Sequence, residues 1–320
     1  MTALILLAAI AALAGSYYAA PLRWAPLLVS LERTRSGLQQ RHATVDHRTF
    51  RYLDGGQGVV VVMVHGFGGN SDHWVRMASA LVKRFRVVAP DLPGFGDTPA
   101  STSERFSIPL QTERLHALLQ ALGIRRYHLV GNSMGGNIAG ALAHDHPDEV
   151  ASLTLIEPQG IESRTPTALD LEIAQGLVPL VPEQPKDFDR LLDLLFVKRP
   201  FIPRAVYLLL RQRALAAAPL HRVIWNDLWD PASPYPLEHN LSGIRAPTLV
   251  IWGDSNRFLH DTAIEKLERG LRDLRVVRMT ACGHAPMLER PAEVAAHFEA
   301  FLASLARPAT APHEPGAAAR

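Results

Sequence analysis

Residues 129–136, Leu-Val-Gly-Asn-Ser-Met-Gly-Gly, decide the fold of this 320-residue chain. The run from Tyr127 to Asn132 reads as a buried strand and the residues from Met134 onward read as a helix, so Ser133 falls on the turn between them in the pattern G-x-S-x-G. A serine on so sharp a turn presents its hydroxyl beyond the end of a sheet. Glycines are needed at 131 and 135 because the backbones there approach too closely for side chains. The helix starting at Met134 aims free N–H groups back at the turn, where they favour negative charge. Ser133 is therefore the candidate nucleophile.

Working outward, short β-branched runs alternate with helical patterns, which predicts a mostly parallel, twisted sheet with helices on both faces. The expected strands are Val59–Val64, Phe85–Pro90, Tyr127–Asn132, Ser152–Glu157, Pro247–Gly253 and Leu274–Met279. Between Pro158 and Leu241 there is no strand pattern, only helical segments such as FDRLLDLLF and AVYLLLRQRALAAA separated by prolines. That stretch reads as a helical cap inserted into the sheet domain. The domain expectation is thus an α/β sheet core over 45–157 and 242–305, a cap over 158–241, a connector over 23–44, and a disordered Ala/Pro-rich tail over 306–320.

Two loops after strands carry further chemistry. VHGFGGN (Val64–Asn70) follows the first of these strands, and the backbone N–H of Phe67 there can pair with that of Met134 as an oxyanion hole. His65 in this loop reads as a brace. ACGHAPMLERP (Ala281–Pro291) follows the last strand, and of the chain's 14 histidines only His284 lies between that strand and a closing helix. His284 is the candidate general base that takes the Ser133 proton and returns it to the leaving group.

The order HGF, DLPGFG (Asp91–Gly96), GNSMGG, helical cap, VIWG (Val250–Gly253) and GHAPMLERP resembles the α/β-hydrolase superfamily over residues 45–305. Within it the chain is similar to membrane-anchored monoacylglycerol lipases and related bacterial lipases and esterases. Its elbow also resembles that of the meta-cleavage C–C hydrolases. A serine at 133 sets it apart from haloalkane dehalogenases and epoxide hydrolases, which use a carboxylate nucleophile.

The resemblance breaks at WGDSNRF (Trp252–Phe258), since the family's usual acid position, three residues after the glycine, holds Asn256. Three readings of the acid stand. Glu157 ends the strand after the nucleophile strand, a place from which some superfamily members supply the carboxylate. Asp254 is in the right loop but directly follows Gly253. In the third reading no carboxylate is present and Asn256 merely orients the ring.

Composition and the N-terminus set the remaining limits. A formal net charge of +2, without a dense basic run, argues against nucleic acid as a partner. The single cysteine, Cys282, excludes an intramolecular disulfide and a Cys-based metal site. No charged residue occurs from Thr2 to Leu22, followed by Trp24 and by Arg23, Arg33, Arg35 and Arg41. A span of about 20 apolar residues crosses a bilayer, so 1–22 reads first as a membrane anchor, with a cleaved signal peptide and a buried packing helix as alternatives. Arginine after the span places the catalytic domain in the cytoplasm; with a signal peptide it is exported instead. The expected activity is hydrolysis of carboxylic esters with lipophilic acyl chains through an acyl-enzyme on Ser133, with no cofactor and no metal. C–C bond hydrolysis and an inert binding or scaffold protein are the two alternatives.

Overall fold

The computed structural model describes residues 1–228 and 237–306. The chain opens with helices α1 (Thr2–Ala19) and α2 (Pro21–Arg35), then strands β1 (Gln39–Val45), β2 (Arg48–Gly55) and β3 (Val60–Val64). Helix α3 (Val75–Leu81), β4 (Arg86–Pro90), α4 (Ile108–Ala121), β5 (Tyr127–Asn132), α5 (Met134–Asp145) and β6 (Val150–Ile156) follow in strict alternation. After β6 the described residues form only helices, α6 (Ala168–Ala174), α7 (Pro185–Leu195) and α8 (Arg204–Leu228), before the sheet resumes. It ends with β7 (Thr248–Gly253), α9 (Ala263–Gly270), β8 (Leu274–Met279), α10 (Pro286–Glu289) and α11 (Pro291–Leu305).

The described strands form one sheet in the order β1-β2-β4-β3-β5-β6-β7-β8. From β4 to β8 every neighbour is parallel, with Val62 opposite Val88 and Leu129, and Leu129 opposite Leu153. Strands β1 and β2 are antiparallel to each other, and β2 is antiparallel to β4.

Strand side chains alternate between faces, so one run of aliphatic residues serves two cores. Val62, Val64, Val88, Leu129, Leu155 and Trp252 pack with Leu115, Leu119 and Ile138 of α4 and α5. Their immediate neighbours Val61, Met63, Val87, Val130, Ile156 and Ile251 pack on the other face with Met77, Leu81, Val294 and Phe298 of α3 and α11. This burial on both faces explains why the central strands read as continuous apolar runs.

The expected connector over 23–44 is corrected by the structure. Residues 21–35 form α2, and 39–45 form an edge strand paired with β2. Arg33 of α2 holds Asp72 through two hydrogen bonds of 2.6 Å, and Arg76 bonds Glu32 at 2.7 Å. The sequence concealed this because the anchoring groups are arginines and carboxylates 39 or 44 residues apart, and β1 is exposed and polar. Helix α1 is 18 residues long, apolar enough to cross a membrane, and none of its residues is buried. The tail expected to be disordered lies outside the described residues from 307 onward, as does the cap stretch 229–236.

Candidate active site

The C-terminal ends of the parallel strands gather the residues singled out above. Ser133 caps α5 with φ 54° and ψ −121°, a left-handed conformation that a non-glycine residue adopts only when its surroundings force it. The forcing contacts are backbone ones. A Cβ on Gly131 would lie 2.2 Å from the Gly135 carbonyl oxygen, and one on Gly135 would lie 2.3 Å from that of Val64. Met134 opens α5, so its N–H has no acceptor within the helix.

The loop bearing Phe67 is fixed from below. His65 is buried, its Nδ1 lies 2.8 Å from the Gly66 carbonyl oxygen, and its Nε2 accepts the Leu92 N–H at 3.0 Å. These partners put the ring hydrogen on Nδ1, and burial lowers the pKa of the ring. His65 thus ties the HGFG loop to the DLPGFG loop. In the latter, Asp91 is fully buried, meets Arg51 Nη1 at 3.0 Å, and accepts the N–H groups of Ser71 at 2.7 Å and Asp97 at 2.9 Å. These bonds to Asp91 offset part of the desolvation of the buried ion pair, in which Arg51 Nε has no hydrogen-bond partner among the described residues.

His284 lies beside the elbow through its backbone: its carbonyl oxygen accepts from Asn132 Nδ2 at 3.3 Å, and its N–H donates to the Leu195 carbonyl at 2.8 Å. The imidazole is buried and stacked on Phe258, ring centres 4.4 Å apart and planes 12° apart. Burial lowers its pKa to about 3, so the ring is neutral at physiological pH. Its Nδ1 is buried without a hydrogen-bond partner among the described residues.

Glu157 is fully buried at the end of β6, also with positive φ, 49°. Its two oxygens receive the Gly253 N–H and the Asn256 side-chain amide. Burial raises its pKa well above the ordinary carboxylate value, against the pull of those two donors. Asn256 cannot turn its amide over without loss, because its Oδ1 accepts the N–H of Phe258 at 2.8 Å and of Leu259 at 3.2 Å. An aspartate at 256 would instead set a second carboxylate against Glu157. Asp254 turns elsewhere: it is exposed, and its Oδ1 accepts the Ala281 N–H and the Ser255 hydroxyl, both at 2.8 Å.

Two features of the site were not anticipated from the sequence, the Asn256–Glu157 pair and the Phe258 stack. A third feature is an apolar wall where the cap meets the HGFG loop. In that wall Val181, Ala218 and Trp225 are buried with Phe67, Ile173, Val178 and Leu180 packed against them. The Phe67 ring lies 5.7 Å from Trp225, 5.6 Å from His221 and 5.5 Å from Phe95. Each arises between segments far apart in sequence, so no local pattern announces it.

An elbow serine, a buried histidine beside it and a mostly parallel sheet under a helical cap define a hydrolase fold, and comparison with known proteins agrees. Residues 59–200 match the alpha/beta hydrolase fold family, and the chain belongs to it. It is 33% identical over 285 residues to monoacylglycerol lipase abhd6-B of Xenopus laevis, covering 85% of each chain. It is 30% identical to lipase 3 of a Moraxella species, covering 86% of this chain and 88% of that one. Among solved structures it is similar to a bacterial membrane phospholipase A described as a virulence factor, with TM-score 0.87, 40% identity, and coverage of 95% and 97%. The protein is an enzyme of the hydrolase class.

Proposed function

We propose that this protein is a membrane-anchored serine hydrolase that cleaves carboxylic esters with lipophilic acyl chains. The observation that carries the reading is the strained Ser133 turn with the His284 loop bonded to its neighbour Asn132. In the proposed reaction His284 accepts the Ser133 hydroxyl proton as Oγ attacks the ester carbonyl. The N–H groups of Phe67 and Met134 receive the oxyanion, and His284 then protonates the departing alkoxide. Water, activated by the same imidazole, releases the acid and restores Ser133.

Glu157 is the proposed acid. Burial makes a charge costly on either Glu157 or His284 alone, which leaves each as the natural counter-charge of the other when the imidazolium forms. Their direct contact belongs to the substrate complex, where catalytic hydrogen bonds tighten relative to the free enzyme. The apolar wall around Phe67 and Trp225 suits an acyl chain, and the relatives' lipase names support a lipid ester. Helix α1 is the proposed span, with the catalytic domain in the cytoplasm on the arginine-bearing side. Its end touches the cap, since the Ala205 N–H donates to the Tyr17 hydroxyl at 3.3 Å, and the neighbouring Phe201 is 80% exposed. That contact would hold the cap beside lipid.

A fluorophosphonate probe tests the reading. It should label the full-length protein in detergent and fail to label Ser133→Ala, and a long-chain ester should compete. Absence of labelling in the folded wild type would leave the inert binding protein as the surviving reading.

A further inference from the structure

We propose a divalent transition-metal site, of the kind that takes Zn²⁺, at the end of the sheet away from Ser133. Its ligands are His116, His146 and Glu149. Their ligand atoms all lie within 4.8 Å of one another and all three side chains are half-buried. His116 comes from α4, His146 is the residue that ends α5, and Glu149 directly precedes β6. His146 and Glu149 thus share the turn between α5 and β6, and the fold brings His116 of α4 to them.

The hydrogen bonding of this cluster is crowded around one ring nitrogen. His116 Nε2 is 3.2 Å from each Glu149 oxygen, and Gln120 Nε2 is 2.9 Å from that same ring nitrogen. Gln120 Nε2 is also 3.0 and 3.1 Å from the two carboxylate oxygens. A neutral imidazole nitrogen either donates or accepts. If Nε2 carries hydrogen, it and Gln120 both donate to Glu149 across a tight 2.9 Å contact between the two nitrogens; if it does not, it accepts from Gln120 but turns its lone pair on the carboxylate. Turning the amide over only moves the conflict, because its oxygen then faces the carboxylate. A metal ion removes it by taking the lone pairs of His116 and Glu149 together. Gln120 is then left with one task, donating to the carboxylate and fixing it, as outer partners of metal sites do.

His146 supplies the third ligand. Its ring is stacked on His116 with centres 3.6 Å and planes 15° apart. A metal lies near the plane of each ligating ring, so His146 must swing out of the stack to bind. It stands at the chain turn after α5 and is half-buried, so one side of the ring faces solvent. Two imidazoles and one carboxylate suit Zn²⁺, Co²⁺ or Ni²⁺ rather than Ca²⁺ or Mg²⁺, and leave a fourth position for water.

The consequence is structural. Helix α5 has 12 residues between the elbow and this end, and at 1.5 Å per residue the site is roughly 18 Å from the nucleophile. A bound ion would clamp α4, the end of α5 and the entry to β6 while leaving the chemistry untouched.

The test uses full-length protein without a histidine tag, stripped with chelator and titrated in detergent. Calorimetry with Zn²⁺ should give one equivalent with micromolar affinity, and Co²⁺ should give visible absorption bands of a low-coordinate nitrogen and oxygen site. Zn²⁺ in excess should raise Tm by a few degrees through linkage. His116→Ala, His146→Ala and Glu149→Gln should each weaken binding at least tenfold while ester turnover in the absence of metal stays at the wild-type value. Binding only in the millimolar range, or binding that survives all three substitutions, overturns the proposal. Should a variant unfold, the wild-type stoichiometry, Tm shift and Co²⁺ spectrum still decide the matter.

Discussion

The two sides of the active site are built by different means. The nucleophile side is local: Gly131, Ser133 and Gly135 fall within five residues, and the close approach of Gly135 to the Val64 and His65 carbonyls holds the serine in its strained turn. The proposed acid side is assembled at a distance, since Glu157 follows β6 and its partner Asn256 lies 99 residues later in the loop after β7. Sterics specify the first, and a hydrogen-bonded pairing of unlike groups specifies the second.

The largest effect should come from the local side. Ser133→Ala and His284→Ala should each lower kcat by on the order of 10⁴ or more, with little further loss in the double variant, because residues of one proton-transfer unit are not additive. Independent, multiplying losses in steady-state ester hydrolysis would show that the two do not act together.

The distant side should give a smaller and reversible effect. Glu157→Gln should lower kcat by roughly several hundredfold, somewhat less than the loss recorded when a protease triad aspartate is made neutral. Adding Asn256→Asp restores an amide facing a carboxylate with the seats exchanged, and should recover a substantial part of the rate. Asn256→Asp alone sets two carboxylates together and should cost stability near neutral pH, read as a lower Tm. Asp254→Asn, whose carboxylate caps the Ala281 N–H, should cost less than about tenfold, as expected for a residue that does not touch the reacting groups. If Asp254→Asn proves the damaging change while Glu157→Gln is silent, the comparison fails and the acid stays in its own loop.

The smallest effects are in pH dependence. Burial lowers the pKa of His284 to about 3 and of His221 to about 4, so both rings remain neutral in the folded protein well below pH 6. The acid limb of kcat/KM, which reports the free enzyme, should therefore lie clearly below the ordinary histidine value of about 6.5. For stability the sign follows from the same shifts. The unfolded chain takes up protons on these histidines below about pH 6.5 while the folded chain does not, so their contribution is present above that value. It is lost as pH falls toward the folded values, and Tm should drop through that window. An acid limb near or above 6.5 would mean that the Glu157 carboxylate already holds the ring in the resting enzyme.

The sequence was most legible where structure is local. G-x-S-x-G between a strand and a helix identified the elbow, and strands β5 and β8 have the bounds expected from their short runs rich in aliphatic and β-branched residues. Strand β6 begins two residues earlier than expected and stops before Glu157, which leaves that side chain free to turn into the site.

Residues 23–44 were misread because their partners, Asp72 for Arg33 and the whole of β2 for β1, lie elsewhere in the chain. In the same way an isolated Asn256 reads as a missing acid, and only the fold reveals that its amide faces a buried glutamate. The sequence by itself determined the parallel strands, the elbow and the apolar N-terminal helix, since each follows from spacing and side-chain type within one segment, but not the antiparallel pair β1 and β2. The tertiary structure alone decided where the Glu157 carboxylate sits, how the cap walls Phe67, and that His116 meets the turn carrying His146 and Glu149. Each of those depends on distances between segments that no local pattern encodes.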